Sequence, residues 1–256
     1  MDALGYLAAT GAATASGLVN SLVGGGSLIS FPALLALGLP AKSANVTNTI
    51  ALCPGYVGGA VAQRNSLRGQ RARLVRLAPA AVIGGFVGAG LLLITSDEAL
   101  TKLIPILLAL GTILLALSQR LRQLIGRGEL EVGQTLADAR WLAAVVGLVS
   151  VYGGYFGAGI GVMLLAVLSI GVHEPLNRSN ALKQVLSLVV NVAAAMFFVF
   201  SGEVRWGLAG VMSVGSVVGG NLGGHLAGRI DPARFRVVVV VIGAVLSVVY
   251  AVKAFA

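Results

Sequence analysis

The chain has 256 residues, 57% of them hydrophobic and 11% charged, with a mean hydropathy of +0.94. A water-facing surface takes about 25% charged residues, so this composition excludes a soluble globular domain and describes a polytopic integral membrane protein. The net charge of +9 comes mostly from arginines in short loops between apolar segments, which is positive-inside bias and not a nucleic-acid surface.

Residues 4–22 are the first apolar stretch. No basic segment precedes them and no small-residue cleavage site with a soluble body follows, so they read as a membrane element and not as a cleaved signal peptide. Gly24-Gly25-Gly26-Ser27 separates them from 27–39, which is too short to cross upright, since a spanning helix needs about 20 apolar residues. The pair, 4–39, is expected to form a V-shaped hairpin of broken helices. Spanning helices are expected at 44–63, 75–95 and 101–118, which completes an N-terminal repeat over 1–118. Residues 119–140, amphipathic and of mixed charge, are expected as a cytoplasmic connector. A second hairpin over 141–172 is divided at Gly157-Ala158-Gly159-Ile160-Gly161 into 141–155 and 160–172. Helices at 179–200, 206–227 and 235–255 then complete a C-terminal repeat over 141–256.

The two repeats say nearly the same thing. Ala41-Lys42-Ser43-Ala44-Asn45-Val46-Thr47 answers Leu176-Asn177-Arg178-Ser179-Asn180-Ala181-Leu182, with Asn45 and Asn180 standing 135 positions apart. Gly84-Gly85-Phe86-Val87-Gly88 is echoed by Gly215-Ser216-Val217-Val218-Gly219, and Asp97 falls near the counterpart of Asp231. Loop charge does not follow the repeat. The 64–76 loop carries Arg64, Arg68, Arg71, Arg73 and Arg76 with no acid, whereas its counterpart Ser201–Arg205 is nearly neutral. The acidic 96–98 turn corresponds to the basic 229–236 turn, with Arg229, Arg234 and Arg236. Repeated sequence with exchanged loop charge predicts an all-α membrane protein of two inverted-topology repeats, each a broken-helix hairpin plus three transmembrane helices.

In hydrocarbon every backbone polar group needs a partner, so broken helices persist only against protein or a water-filled cavity. Their tips offer free N–H groups and partial positive charge to a ligand. The expected substrate-binding residues therefore lie around the tips: Asn20, Gly24, Gly25, Gly26 and Ser27 in one half, Tyr152, Tyr155, Gly157 and Gly159 in the other. Asn45, Thr47 and Asn48 open the next helix in the first half; Asn180, Lys183, Gln184 and Asn191 line the corresponding helix in the second. Lys183 reads either as an intramembrane functional charge or as a lysine snorkelling to the cytoplasmic interface; for Lys42, nearer a helix start, snorkelling is the better reading. The 24–26 and 157–161 glycines read as ligand-facing, and Gly215, Gly219 and Gly223 as helix packing. His225 reads as an interfacial helix end more readily than as a proton relay.

The chain has one cysteine and two histidines, which excludes a disulfide framework and a Cys- or His-built metal site. Cys53 reads as a small buried hydrophobe. No nucleotide-binding, metalloprotease or nucleophile-elbow motif occurs. No catalytic residue, cofactor or metal is therefore expected, and transport would be driven by a gradient. With hydrogen-bond donors and positive dipoles but no carboxylate in the spans, the site favours a small anion. The alternatives are an anion channel, a non-transporting membrane scaffold, or a carrier for another small organic acid or amino acid.

The run Tyr152-Gly153-Gly154-Tyr155-Phe156-Gly157-Ala158-Gly159-Ile160-Gly161 resembles the glycine-aromatic pattern of the TauE/SafE family of sulfite exporters. So does Asn180-Ala181-Leu182-Lys183, continuing through Asn191 to Phe200-Ser201-Gly202-Glu203-Val204-Arg205-Trp206, while Gly24-Gly25-Gly26-Ser27 with Pro32 resembles the family's other repeat. The resemblance covers essentially the whole chain. It implies export of sulfite, sulfonates such as sulfoacetate or related sulfur-containing anions from a bacterial cell, by a multi-pass protein of the cytoplasmic membrane. The expected partners are that anion and the lipid bilayer, with a homodimer as one option and no nucleic acid.

Overall fold

The computed structural model describes residues 2–125, 139–172, 174–227, 229 and 232–255, and every regular element among them is a helix. Asp2 starts α1 (Ala3–Leu22) by accepting the Gly5 N–H at 3.0 Å. The helix stops where Val23 and Gly24 both donate to the Val19 carbonyl, at 2.8 and 3.0 Å. Gly24 and Gly25 then take φ of 87° and 86°, the left-handed conformation that a side chain disfavours. The chain turns back into α2 (Ser27–Ala36). Pro40 stands before α3 (Ala41–Ala62), a short α4 (Arg64–Leu67) follows, and α5 (Arg71–Ile94) and α6 (Asp97–Ile125) complete the half.

The second half repeats this local chemistry. α7 (Ala139–Tyr155) stops where Phe156 and Gly157 both donate to the Tyr152 carbonyl, at 2.9 and 3.4 Å, with Gly157 and Gly159 at φ of 76° and 87°. α8 (Ile160–Gly171) returns, Pro175 stands before α9 (Leu176–Phe198), and α10 (Trp206–Leu226) and α11 (Pro232–Phe255) close the chain. α6 runs past residue 118 into the segment expected as connector; the rest of that segment, 126–138, lies outside the described residues, as do His173 and Asp231.

In both pairs expected as hairpins the second helix turns back toward the start of the first. Tyr6, near the start of α1, and Leu37–Pro40, after α2, line one cavity with Val204–Leu208. Gly171, the last residue of α8, packs on Leu142 near the start of α7. Just beyond it, Glu174 pairs with Arg73 and Arg178, each at 2.6 Å. The first hairpin thus opens at the end of the bundle holding the 201–206 loop. The second opens at the end holding the 64–73 loop, and α3 runs from one end to the other. The tips meet inside, where Phe31 of α2 sets its ring edge-to-face on Phe156 at 5.1 Å.

Packing partners also exchange between halves. α1 lies along α10 and α10 against α3; α7 lies along α5 and α5 against α9; α3 meets α9, and α6 meets α11. Glycine makes these contacts close. A methyl at Gly215 or Gly223 would come within 2.5 Å of the Thr10 or Leu18 carbonyl of α1. One at Gly88 of α5 would strike the backbone of α7 at Val151. The packing expectation for Gly215, Gly219 and Gly223 holds, by the small-residue contact that lets membrane helices pack without hydrophobic drive. Outward, α5 exposes Ile83, Val87, Leu91 and Ile94, and α11 exposes Val237, Val241, Val245, Val248 and Val252. Among the described residues, four helices, α5, α6, α9 and α11, are long and apolar enough to cross a membrane by length and composition. α3 and α10 replace apolar bulk with polar residues and glycine where they face protein.

Candidate functional site

Many of the buried polar residues lie on α3 and α9, and others on α1 and α2 at the first hairpin. Lys183 is fully buried, its amine donating to the Asn20 carbonyl at 2.8 Å. That carbonyl is free because Val23 and Gly24 both bond to Val19 at the frayed end of α1. On its way there the lysine stem passes Gly161 at the start of α8, where an added methyl would lie 3.6 Å from Lys183 Cδ. Gly161 itself abuts Gly24: a methyl on Gly24 would come within 2.8 Å of the Gly161 carbonyl carbon. Lys183 therefore lies where the two tips touch and does not snorkel to an interface.

Around it the side chains are locked by hydrogen bonds. Asn20 Oδ1 accepts the Gly26 N–H at 2.7 Å, which ties the tip to the end of α1. Asn180 Nδ2 donates to the Ser21 carbonyl at 3.0 Å and to Gln63 Oε1 at 2.8 Å. Gln184 Nε2 donates to Ser21 Oγ at 3.3 Å, and that hydroxyl donates to the Gly220 carbonyl at 2.9 Å. Gly59 leaves room for Gln184, whose amide would collide with any side chain there. Asn180 Oδ1 and Gln184 Oε1 have no hydrogen-bond partner. A buried polar network with open acceptors is costly unless something completes it.

The expected residues divide between two places. Asn20, Gly24, Asn180, Lys183 and Gln184 meet at the tip junction, and Gly25, Gly26 and Ser27 form the first tip beside it. Asn45 lies by the end of α7, Thr47 by the residue that precedes α10, and Asn48 is buried one turn beyond Asn45 on α3. Asn45 Nδ2 donates to the Tyr155 carbonyl at 2.8 Å, and Thr47 Oγ1 accepts the Arg205 N–H at 3.0 Å. Several do structural work. Tyr152 staples the second tip, its hydroxyl 2.7 Å from the Ala158 carbonyl, over Gly157 and Gly159. Tyr155 reaches Thr95 at 3.3 Å, and Asn191 donates to the Ser187 carbonyl at 2.8 Å in its own helix. Sequence reading passes over Gln63 and Gly59, because a glutamine beside Arg64 at a helix end looks interfacial and one glycine among several carries no signal.

Two cavities of about 530 and 520 Å³ open at opposite ends of the bundle. The second is lined by Arg64, His225 and Arg229 and reaches Gln63, the partner of Asn180. His225 is exposed there, its Nδ1 2.9 Å from the Asn221 carbonyl, as expected for a helix end.

A protein-family model described as sulfite exporter TauE/SafE matches residues 9–250. The chain belongs to the TauE/SafE family. Among this family member's relatives is "Probable membrane transporter protein YfcA" of Escherichia coli (strain K12), 27% identical over 236 residues, 91% of this chain and 84% of the relative. A Haemophilus influenzae "Probable membrane transporter protein" is 30% identical over 236 residues, covering 90% and 88%. No solved structure matches. With its apolar helices, this TauE/SafE chain is a multi-pass membrane transporter, consistent with the bacterial inner membrane.

Proposed function

We propose that this chain is a secondary transporter that exports small sulfur-containing anions, sulfite or organosulfonates such as sulfoacetate, by alternating access. The observation that carries the reading is Lys183, buried where both hairpin tips meet. In its ammonium form it supplies charge to an oxyanion in a low-dielectric setting, where charge–charge attraction is far stronger than in water. Asn20 borders the same spot, and Gln184 would offer its amide N–H to the anion by releasing Ser21 Oγ. Binding and release need no covalent step, so the chain acts as a carrier and not as an enzyme.

The exchange of packing partners between halves supports two inverted repeats, each with its own hairpin, that rock about the shared tips. On this reading the arginine-lined cavity at Arg64 and Arg229 is the cytoplasmic vestibule, as positive-inside bias requires, and draws anions toward Gln63 and Asn180. The cavity at Val204–Leu208 is the exit.

Ligand-dependent thermal stabilisation of the purified protein tests the substrate class, with sulfite, thiosulfate, sulfoacetate, taurine, sulfate and an amino acid as the panel. A ligand at about 100 times its Kd adds about 2.7 kcal/mol. Stabilisation by sulfite or a sulfonate is expected; stabilisation by the amino acid alone would overturn the anion reading.

A further inference from the structure

The two hairpins end α1 and α7 in the same way but meet different side chains, and the difference points to a second ligand. Val23 and Gly24 both bond to the Val19 carbonyl, and Phe156 and Gly157 both bond to that of Tyr152. At each break the last carbonyls of a helix face inward, the negative end of its dipole. Asn180 and Asn45, each the fifth residue after the proline that starts its helix, donate to Ser21 and Tyr155 respectively. The eighth residue differs. In α9 it is Lys183, whose amine lies on the end of α1. In α3 it is Asn48, 2% exposed, whose Oδ1 has no partner; neither has Oδ1 of Asn45, which is 1% exposed.

Two buried amide oxygens without a hydrogen-bond partner thus lie one turn apart on α3, where Asn45 touches the carbonyl end of α7. The nearby cations do not fill the place: Lys42 directs its amine to the Leu93 carbonyl at 3.5 Å, and Arg205 is exposed. Glu203, hydrogen-bonded by Ser43, adds a carboxylate toward the outer end. Neutral oxygens with a helix C-terminal end make a site for a hard cation with oxygen ligands and little charge of its own to balance.

We infer that a sodium ion binds between Asn45, Asn48 and the end of α7, in the place that the Lys183 amine takes in the other half. The ion and the lysine then neutralise the two broken-helix ends in the same manner, one exchangeable and one tethered. The inference goes beyond the anion reading and does not depend on which anion is carried.

The test is thermal stability in detergent, with choline chloride replaced stepwise by sodium or potassium chloride at constant ionic strength and no anionic substrate. The wild type should gain several degrees, saturably, with sodium and not with potassium. Asn48→Ala should lose that response. Asn48→Lys, which tethers an amine at the site, should be as stable without sodium as the saturated wild type and should ignore the ion. Radioactive sodium should bind the wild type at one ion per chain, a readout that needs no variant. Absence of sodium binding, an equal response to potassium, or a sodium response retained in both variants would overturn the site.

Discussion

A lysine placed within a membrane helix costs on the order of 3 kcal/mol relative to an apolar residue, so its position in the fold has to be explained by what it does. Lys183 holds the Asn20 carbonyl and lies against Gly161, one residue touching both hairpins. Replacing it by methionine keeps the stem and removes the amine. We expect Lys183→Met to fold and to lose anion stabilisation and flux by at least tenfold; flux equal to wild type would remove the residue from the site. Asn20→Ala acts differently, because it strips the acceptor from the Gly26 N–H. A buried donor left unpaired costs about 1–3 kcal/mol, and a lower melting temperature in that variant checks it. The sequence marks Lys183 as a residue to explain but leaves its direction open. Reach depends on the frayed carbonyl of Asn20 and the bare α-carbon of Gly161, neither of which a residue pattern displays. Gln63 is invisible for the same reason, its role set by Asn180, which is distant in sequence and adjacent in space.

Elements in this molecule are held by what glycine omits. At Gly219 an added methyl would strike the Thr14 carbonyl of α1, whereas at Gly210, in the same helix, it would meet nothing within 4 Å. Gly219→Ala should destabilise by about 1–3 kcal/mol through helix displacement, and Gly210→Ala should not; equal melting temperatures would contradict the packing. The loop between α8 and α9 is fastened by charge. Hydrogen bonding from Arg73, assisted by the charges of Arg178 and Arg73, holds the Glu174 carboxyl below its ordinary value of 4.5 despite partial burial. A depressed folded value means that this stabilisation is complete above the ordinary carboxylate range and is lost as pH falls through the lowered value. Melting temperature measured below about pH 4.5 should fall more steeply in the wild type than in Glu174→Gln. The hairpins themselves are legible in sequence, because glycine clusters beside segments too short to cross leave few other structures. The limit of the connector at 119–140 is not, since apolar periodicity runs on into the first turns of that segment and α6 follows it.

At the scale of the whole molecule, the open ends of the hairpins set the sidedness. In a chain with Cys53 replaced, a cysteine at Leu4 or Leu37 should react only with reagent from outside the cell. One at Asn65 or Leu176 should react only from the cytoplasm. Reaction of Leu4 and Leu37 variants from opposite sides would show a spanning first pair and contradict the V-shaped insertion. The likeness of the two halves is legible in Asn45 and Asn180, and their inverted orientation is the expectation drawn from the exchanged loop charges. What it leaves out is which faces meet, because α1 finds its partner in α10 and α7 in α5, across the chain and not within a half. That exchange makes the tips a shared junction, where the transported anion is proposed to cross. Counterflow in proteoliposomes addresses that crossing most directly: vesicles loaded with unlabelled sulfite or sulfoacetate, labelled anion outside, for the wild type and Lys183→Met. Saturable uptake driven by the trapped anion is expected in the wild type and none in the variant. Unsaturable flux with electrical conductance, or equal counterflow in both proteins, would contradict transport through the tips.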